Sequence, residues 1–322
     1  MANYVGVDIS KNDFYASFNE ASEPLMFQNN RAGFKSLKEY LKKVDFQSNE
    51  TIIGVESTGI YHLPLSYSLS NYGFTVKVIN PLIVKKQNQT TLRRVKNDKK
   101  DAGLIRYCTA NGSGYKFIDT KETLELKSLV RQRDSLSAIK NNLLIKQQNV
   151  AYKERNLKIS IGKINQDLAD IIDKKIKMLE KKLLQFRPQE QKLLRSIPGV
   201  GPITAVSFIS EIGDVNRFAN SKKLVAYVGL DSRVHQSGTS VNGKGYISKR
   251  GNKILRTRLY NAASVAVLRP NMFRSYFENK RSQGKPYKVA LCATMNKMTH
   301  VIFTVWKRGT PFVDDSDSKS LS

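Results

Sequence analysis

The chain has 322 residues and is strongly basic, with 54 Lys and Arg against 27 Asp and Glu, a formal net charge of +27 and a pI near 10.0. Hydrophobic residues make up 40% of the chain, which is enough for folded cores, so wholesale disorder is excluded and the length favours two or more domains. The excess of positive charge predicts a polyanionic partner, and nucleic acid is the first candidate.

Cysteine usage and hydropathy exclude several other classes of protein. Cys108 and Cys292 stand far apart without a neighbouring Cys or His cluster, which argues against a disulfide framework and a tetrahedral zinc site. The N-terminus lacks the pattern of a signal peptide, and no apolar stretch approaches the length of a membrane span. The sequence therefore predicts a cytoplasmic protein with no membrane partner.

The first eighty residues predict an α/β fold with a mixed sheet. Apolar runs at 4–9, 14–18 and 25–27 predict three strands joined by turns, and Phe34, Leu37 and Leu41 then recur with the period of a helix. Strands at 51–56 and 74–79 follow, with a short crossover helix at 63–69 between them. This order is topologically analogous to the ribonuclease H-like arrangement.

Four acidic residues fall where this topology can gather them. Asp8 ends the first strand, Glu56 ends the fourth, and Asp98 and Asp101 are three residues apart at the start of a helix, hence on one face. Such clustered carboxylates suit Mg²⁺ or Mn²⁺, and two ions could clamp the oxygens of a phosphodiester. The alternative is that each acid is structural, in a turn, on the surface or at a helix cap.

A basic segment immediately precedes the helical acid pair. Its cations would draw a phosphate backbone towards the acids, although a basic surface loop without a catalytic connection is the alternative. The residues predicted to contact nucleic acid here are Lys85, Lys86, Arg93, Arg94 and Lys96.

Residues 124–186 predict two long helices with a coiled-coil seam. Leu129, Leu136, Leu143 and Val150 are seven apart, and residues 156–162 are a plausible bend. The pair would form a helical hairpin or an oligomerisation arm, unless the helices simply pack on their own domain.

A mainly helical domain follows. Pro198-Gly199-Val200-Gly201 between two apolar segments looks like a helix-hairpin-helix turn, in which Gly199 and Gly201 let backbone amides face a phosphate. A tight connection without a ligand is the alternative.

Beyond this turn, a Gly- and Ser-rich loop precedes a basic helix. Hydroxyls among cations could attack phosphorus, and Ser237, Thr239, Ser240 and Ser248 are all candidates on residue chemistry alone. Hydroxyls that only bind phosphate are the alternative. The cations predicted to contact nucleic acid are Lys244, Lys249, Arg250, Lys253 and Arg256.

The motifs VGVDISK, GVESTG, INP, NDKKDA, SIPGVG, QSGTSVNGKGYISKRG and LR form one ordered series. In this series the chain resembles the serine-dependent DEDD transposases of bacterial insertion sequences, whose recombinases work with a structured bridge RNA. The resemblance implies that Asp8, Glu56, Asp98 and Asp101 are the metal-binding tetrad of a RuvC-like domain, and that Ser237 forms a covalent 5′-phosphoserine bond with DNA.

The same resemblance implies the partners of the protein. They are double-stranded donor and target DNA, a structured guide RNA, and further copies of the chain in a dimer or tetramer. In such a tetramer the RuvC-like domain of one subunit meets the serine domain of another. The implied setting is the bacterial cytoplasm, in association with the nucleoid.

The prediction is therefore a site-specific DNA recombinase with a RuvC-like domain at 1–118, a coiled coil at 119–188, a serine transposase domain at 189–313 and a disordered tail at 314–322. One alternative is a metal-dependent junction nuclease that uses water as its nucleophile. The other is a non-enzymatic basic protein that only binds nucleic acid.

Overall fold

The computed structural model describes residues 2–57, 59–88, 98–157, 163–233 and 246–314. By its internal contacts the chain divides into two compact units, residues 1–121 and 122–322. The first is a mixed α/β unit and the second is mostly helical. No helix in the described ranges is long and apolar enough to cross a membrane.

The first unit is built on a mixed sheet. In its described part the sheet has six strands in the order β3-β2-β1-β4-β5-β6, in which β1, β4 and β5 run parallel and the remaining pairs are antiparallel. The strands are β1 Asn3–Ile9, β2 Asp13–Ser17, β3 Leu25–Gln28, β4 Thr51–Glu56, β5 Thr75–Ile79 and β6 Tyr115–Lys116. The helices are α1 Arg31–Lys43, α2 His62–Asn71, α3 Pro81–Asn88 and α4 Asp98–Ala110.

The first five strands and the first two helices confirm the sequence prediction. Phe34, Leu37 and Leu41 form the buried face of α1, and the side chain of Asn30 caps that helix by accepting from Gly33 N at 3.0 Å. The edge strand β6 was not predicted, because its two residues are both exposed and carry no apolar pattern.

The second unit is organised around α8, Pro202–Ile212. Every residue from Thr204 to Ile212 is buried, as expected for a helix that is apolar on nearly all sides. The other helices of this unit are α5 Lys121–Leu157, α6 Ile164–Leu183, α7 Pro188–Arg195, α9 Ser221–Val228, α10 Lys253–Ala266, α11 Met272–Ser282 and α12 Tyr287–Arg308. A 3-10 turn at Val215–Arg217 and a short antiparallel pair, β7 Ser232–Arg233 with β8 Tyr246–Ile247, complete its described elements.

Helices α5 and α6 form an antiparallel hairpin. Arg133 Nη2 lies 2.6 Å from Glu180 Oε1, and Lys140 Nζ lies 2.6 Å from Asp173 Oδ1, so residues later in α5 meet residues earlier in α6. The predicted bend falls between Leu157 and Ile164, and its residues 158–162 lie outside the described ranges. Leu126 and Val130 of α5 and Leu183 of α6 are buried in the hydrophobic core of the second unit. The end of the hairpin that carries these residues therefore packs on its own domain.

The predicted disordered tail, 314–322, is partly outside the described residues. Asp314 belongs to the folded unit, since its Oδ2 accepts a hydrogen bond from Met272 N at 3.0 Å at the start of α11. The prediction for 315–322 falls on residues that the structure does not describe.

Candidate active site

Asp8 and Glu56 are neighbours near the C-terminal ends of the adjacent central strands β1 and β4. Strands β1 and β4 pair in parallel with Val7 opposite Val55, so Asp8 and Glu56 are the next residues along the two strands. Adjacent strands are about 4.8 Å apart, and side chains alternate between the two faces with a period of two. Both carboxylates therefore lie on the face that carries Gly6 and Gly54, and both side chains are partly buried.

Helix α4 covers this same face. A Cβ atom on Gly6 would lie 2.1 Å from Arg106 N and 2.2 Å from Ala102 O, and one on Gly54 would lie 1.8 Å from Thr109 Oγ1. Glycine at these two positions therefore allows the helix to approach the strands closely. Asp101 directly precedes Ala102 in α4. It therefore belongs to the turn of α4 that lies against Gly6 of β1, and Gly6 is two residues before Asp8.

The chemistry of these donors fits a hard divalent cation. Asp8, Glu56 and Asp101 offer carboxylate oxygens, which Mg²⁺ and Mn²⁺ prefer, and they come from two paired strands and the helix packed on them. The fourth acid, Asp98, begins α4, but its side chain is not among those the structure describes. Within the described side chains, no three of His, Cys, Asp and Glu form a metal-binding group.

A cleft of about 650 Å³ lies beside Asp101. Its lining includes Gln87 and Asn88 from α3, Tyr107 from α4, and Arg106, whose Nη2 donates to Glu20 Oε1 at 3.0 Å. Of the predicted basic contacts beside the acids, Lys85 and Lys86 are exposed on α3. Arg93, Arg94 and Lys96 fall in 89–97, outside the described residues.

Ser237 also falls outside the described residues, in 234–245, together with Thr239, Ser240 and Lys244. The structure describes the two ends of this loop. Ser232 pairs with Ile247 across β7 and β8, and just beyond them Ser248 N donates to Asp231 O at 2.8 Å. The Ser248 hydroxyl donates to the Asp231 carboxylate, so this fourth candidate nucleophile already has a hydrogen-bond partner.

The basic segment after the loop is fixed against the end of α9. A Cβ atom on Gly251 would lie 2.1 Å from Tyr227 O, and Lys249, with φ +53°, donates its amide to Gly229 O at 3.1 Å. Left-handed backbone at a non-glycine residue is uncommon and is maintained here by the surrounding contacts. The side chains of Lys249, Arg250 and Lys253 remain exposed.

Arg256 makes backbone contacts that the sequence did not indicate. Its Nη1 donates to Val228 O and Gly251 O, both at 2.8 Å, and burial lowers the pKa of its guanidinium. This nitrogen joins α9 to the Gly251 segment, because it donates a hydrogen bond to a backbone carbonyl of each. Arg256 therefore has a structural role, and its predicted contact with nucleic acid remains a prediction.

The two glycines of the predicted helix-hairpin-helix turn differ. Gly199 has φ +84°, and a Cβ atom there would lie 2.2 Å from Ala262 O, so internal packing against α10 is enough to require glycine. Gly201 directly precedes α8, and a Cβ atom there would meet nothing within 4 Å. The predicted phosphate contact through these glycines remains a prediction.

Sequence reasoning missed a buried carboxylate beside the start of α10. Glu211 of α8 has a side chain only 4% exposed; its Oε2 accepts from Asn252 Nδ2 at 2.8 Å, and its Oε1 lies 3.5 Å from Arg131 Nη2. Asn252 in turn caps α10 by accepting from Leu255 N at 3.1 Å. The only signal in the sequence was a single acid inside the apolar run PITAVSFISEI, since a buried charge needs partners.

Comparisons with known proteins match this chain to transposase families in two segments. A DEDD transposase family model of IS110 elements matches residues 5–150, and the model of the IS116/IS110/IS902 transposase family matches residues 191–278. The chain is 27% identical over 319 residues to a pilin gene-inverting protein of Moraxella bovis, covering 96% of this chain and 97% of that one. It is 25% identical to the transposase for insertion sequence element IS1328 of Yersinia enterocolitica, covering 96% and 98% of the two chains. Over 74 residues, 23% of this chain and 20% of the other, it is 45% identical to the IS1111A transposase of Coxiella burnetii.

Proposed function

We propose that this chain, a transposase of the IS116/IS110/IS902 family, cuts and rejoins DNA strands through a covalent bond between Ser237 and a 5′-phosphate. The observation that carries the proposal is the placement of Asp8 beside Glu56 on paired strands, under the helix that bears Asp101. The strand order β3-β2-β1-β4-β5 supports a ribonuclease H-like, RuvC-like assignment for this unit.

The acids hold divalent metal in this proposal. Asp8, Glu56, Asp98 and Asp101 would bind Mg²⁺ or Mn²⁺, which supplies positive charge for the oxygens of a reacting phosphodiester. The carboxylates themselves fix that charge at the edge of the sheet. Exposed Lys85 and Lys86 on α3 would attract the phosphate backbone to this unit.

The serine loop supplies the nucleophile. Ser237 Oγ forms a bond to phosphorus as the P–O3′ bond breaks, and the proton lost by the serine is balanced by the one that the released 3′-oxygen gains. Attack by a different 3′-hydroxyl then reverses the step and frees the serine, so no nucleotide triphosphate is consumed. Lys249, Arg250 and Lys253 are exposed at the end of the loop and would neutralise the phosphate.

The partners form part of the same proposal. Double-stranded donor and target DNA and a structured guide RNA would account for the net charge of +27. A dimer or tetramer is supported by the hairpin, where an apolar groove lined by Leu136, Ile172 and Leu179 lies between α5 and α6.

A denaturing gel of protein incubated with labelled DNA and Mg²⁺ separates the candidate functions. We expect DNA covalently attached to wild-type protein, the same product with the matched control Ser240→Ala, and none with Ser237→Ala. Cut DNA with free ends only would favour the metal-dependent junction nuclease. Intact DNA with all three proteins would favour a protein that only binds nucleic acid.

A further inference from the structure

The turn between α11 and α12 is exposed along residues 281–289. We call residues 274–289 together with Lys297 the α11–α12 corner. A hydrogen bond nevertheless closes this exposed turn, since Arg281 Nη1 donates to Lys285 O at 2.7 Å. Gly284 takes a left-handed φ of +77°, which glycine adopts without strain. The corner therefore offers a defined surface.

The charge on this surface is nearly all positive. Its one acid, Glu278, is neutralised by Arg274, whose Nε lies 2.7 Å from Glu278 Oε1. The other charged side chains of the corner are Lys280, Arg281, Lys285, Lys288 and Lys297. A surface of this kind attracts a phosphate backbone.

Aromatic rings lie among these cations. Tyr287 is 48% exposed, and its ring forms a T-shaped pair with Phe277 with the centroids 5.3 Å apart. The ammonium groups of Lys280 and Lys297 lie 5.4 Å and 4.6 Å from the centroid of the Tyr276 ring. Fixed rings beside cations are the combination that binds unpaired nucleotides, because bases stack on the rings while cations follow the backbone.

We propose that the α11–α12 corner binds an unpaired DNA strand, with a base stacked on Tyr287 and phosphates beside Lys285 and Lys288. In a duplex the faces of the bases are covered by their neighbours, so a stacking ring discriminates in favour of single strands. Most of the corner lies beyond residue 278, where the match to the IS116/IS110/IS902 family ends. The proposal rests on the chain acting on DNA and is independent of the chemistry at Ser237.

Fluorescence anisotropy with labelled oligothymidylate tests the stacking interaction. Tyr287→Ala should weaken binding about tenfold, which corresponds to the loss of about 1.4 kcal/mol when one base no longer stacks on the ring. Tyr287→Phe keeps the ring and should bind like wild type. Tyr152→Ala, at a tyrosine 69% exposed on α5, is the matched control and should also bind like wild type.

The two lysines give an independent measurement. Lys285→Ala with Lys288→Ala should reduce the salt dependence of oligothymidylate binding, by a slope of about 0.7 for each phosphate that the protein no longer neutralises. The matched pair Lys174→Ala with Lys181→Ala removes two exposed cations from α6 and should leave the binding of this probe nearly unchanged.

Three outcomes of the binding assays would overturn the proposal. They are unchanged binding by Tyr287→Ala, an equal weakening on the corresponding DNA duplex, and a larger Tyr287-dependent weakening on oligouridylate, which would make RNA the ligand. Photo-crosslinking to 5-iodouracil-substituted DNA should label the peptide that contains Tyr287, and its absence would also contradict the proposal. A Ser237→Ala protein should retain this binding, so failure of the serine chemistry and failure of the corner are distinguishable.

Discussion

Gly6 in the first unit and Gly251 in the second both lie in close contact with the backbone of a neighbouring element. At either, a Cβ atom would meet a backbone atom at 2.1 Å, Arg106 N in the first unit and Tyr227 O in the second. Backbone atoms within packed elements cannot move aside as the end of a flexible side chain can. Gly6 thus sets how closely α4 approaches β1, and Gly251 sets how closely the segment after β8 approaches the end of α9.

Replacing Gly251 with alanine tests this packing. Gly251→Ala should lower the free energy of unfolding by about 1–3 kcal/mol, because the new methyl group overlaps Tyr227 O. Urea denaturation measures the change. Gly201→Ala is the matched control, since a Cβ atom there has no neighbour within 4 Å; an equal destabilisation at both sites would contradict the packing explanation.

The acid cluster can be tested without measuring activity. Mg²⁺ should raise the melting temperature of the wild-type protein, because a ligand that binds only the folded state stabilises it. Asp8→Asn should abolish this response and leave the metal-free protein at least as stable, since one repulsive carboxylate is gone. Glu39→Gln, at an exposed acid on α1, should keep the response. A response that persists in Asp8→Asn would mean that the metal binds elsewhere.

The spacing of apolar residues and the turn signals were enough to predict β1 to β5, α1 and α2. Alternation of apolar and polar residues in strands, and helical spacing of apolar residues, follow from which faces are buried. The contact of α4 with Gly6 and Gly54 was beyond prediction, because it depends on two glycines that are distant from α4 in sequence. The adjacency of Asp8 and Glu56 followed from topology. Glu211 and Asn252 are 41 residues apart in sequence, so no periodic pattern of residues indicated their contact.

The hairpin makes a prediction about pH. Hydrogen bonds from Lys140 and Lys177 lower the pKa of Asp173 from 3.8 to about 2. A depressed carboxyl pKa means that the pair stabilises the fold above about pH 4 and that this contribution is lost as the pH falls towards 2. The melting temperature of Asp173→Asn should therefore lie below wild type at pH 5, and the difference should shrink at pH 3.

Asp170 provides the control for the loss of the ion pair. It is on the same helix and accepts from Gln166 Nε2 at 2.9 Å, with no lysine partner among the described contacts. Asp170→Asn removes an acid without a lysine partner among the described contacts, so at pH 5 it should lower the melting temperature less than Asp173→Asn does. A difference for Asp173→Asn that stays constant between pH 5 and pH 3 would show that the Asp173 carboxylate adds nothing through its charge.

For the whole molecule, the acids and the serine loop belong to different compact units, 1–121 and 122–322. If subunits complete one another's sites, two inactive variants should rescue each other. A co-assembled mixture of Asp8→Asn and Ser237→Ala should form covalent DNA adduct, because some sites then combine an intact acid cluster with an intact serine. Each variant alone should form none. Absence of adduct from a mixture shown to co-assemble would mean that each site is completed within one chain.

The most direct test of the serine mechanism is to locate the covalent bond itself. Wild-type protein trapped on DNA with Mg²⁺ can be digested with protease and nuclease, and the modified peptide sequenced by mass spectrometry. We expect a nucleotide joined through its 5′-phosphate to Ser237, with no such modification on Ser240 or Ser248. A nucleotide on another hydroxyl, or cut DNA without any protein-linked nucleotide, would contradict this mechanism.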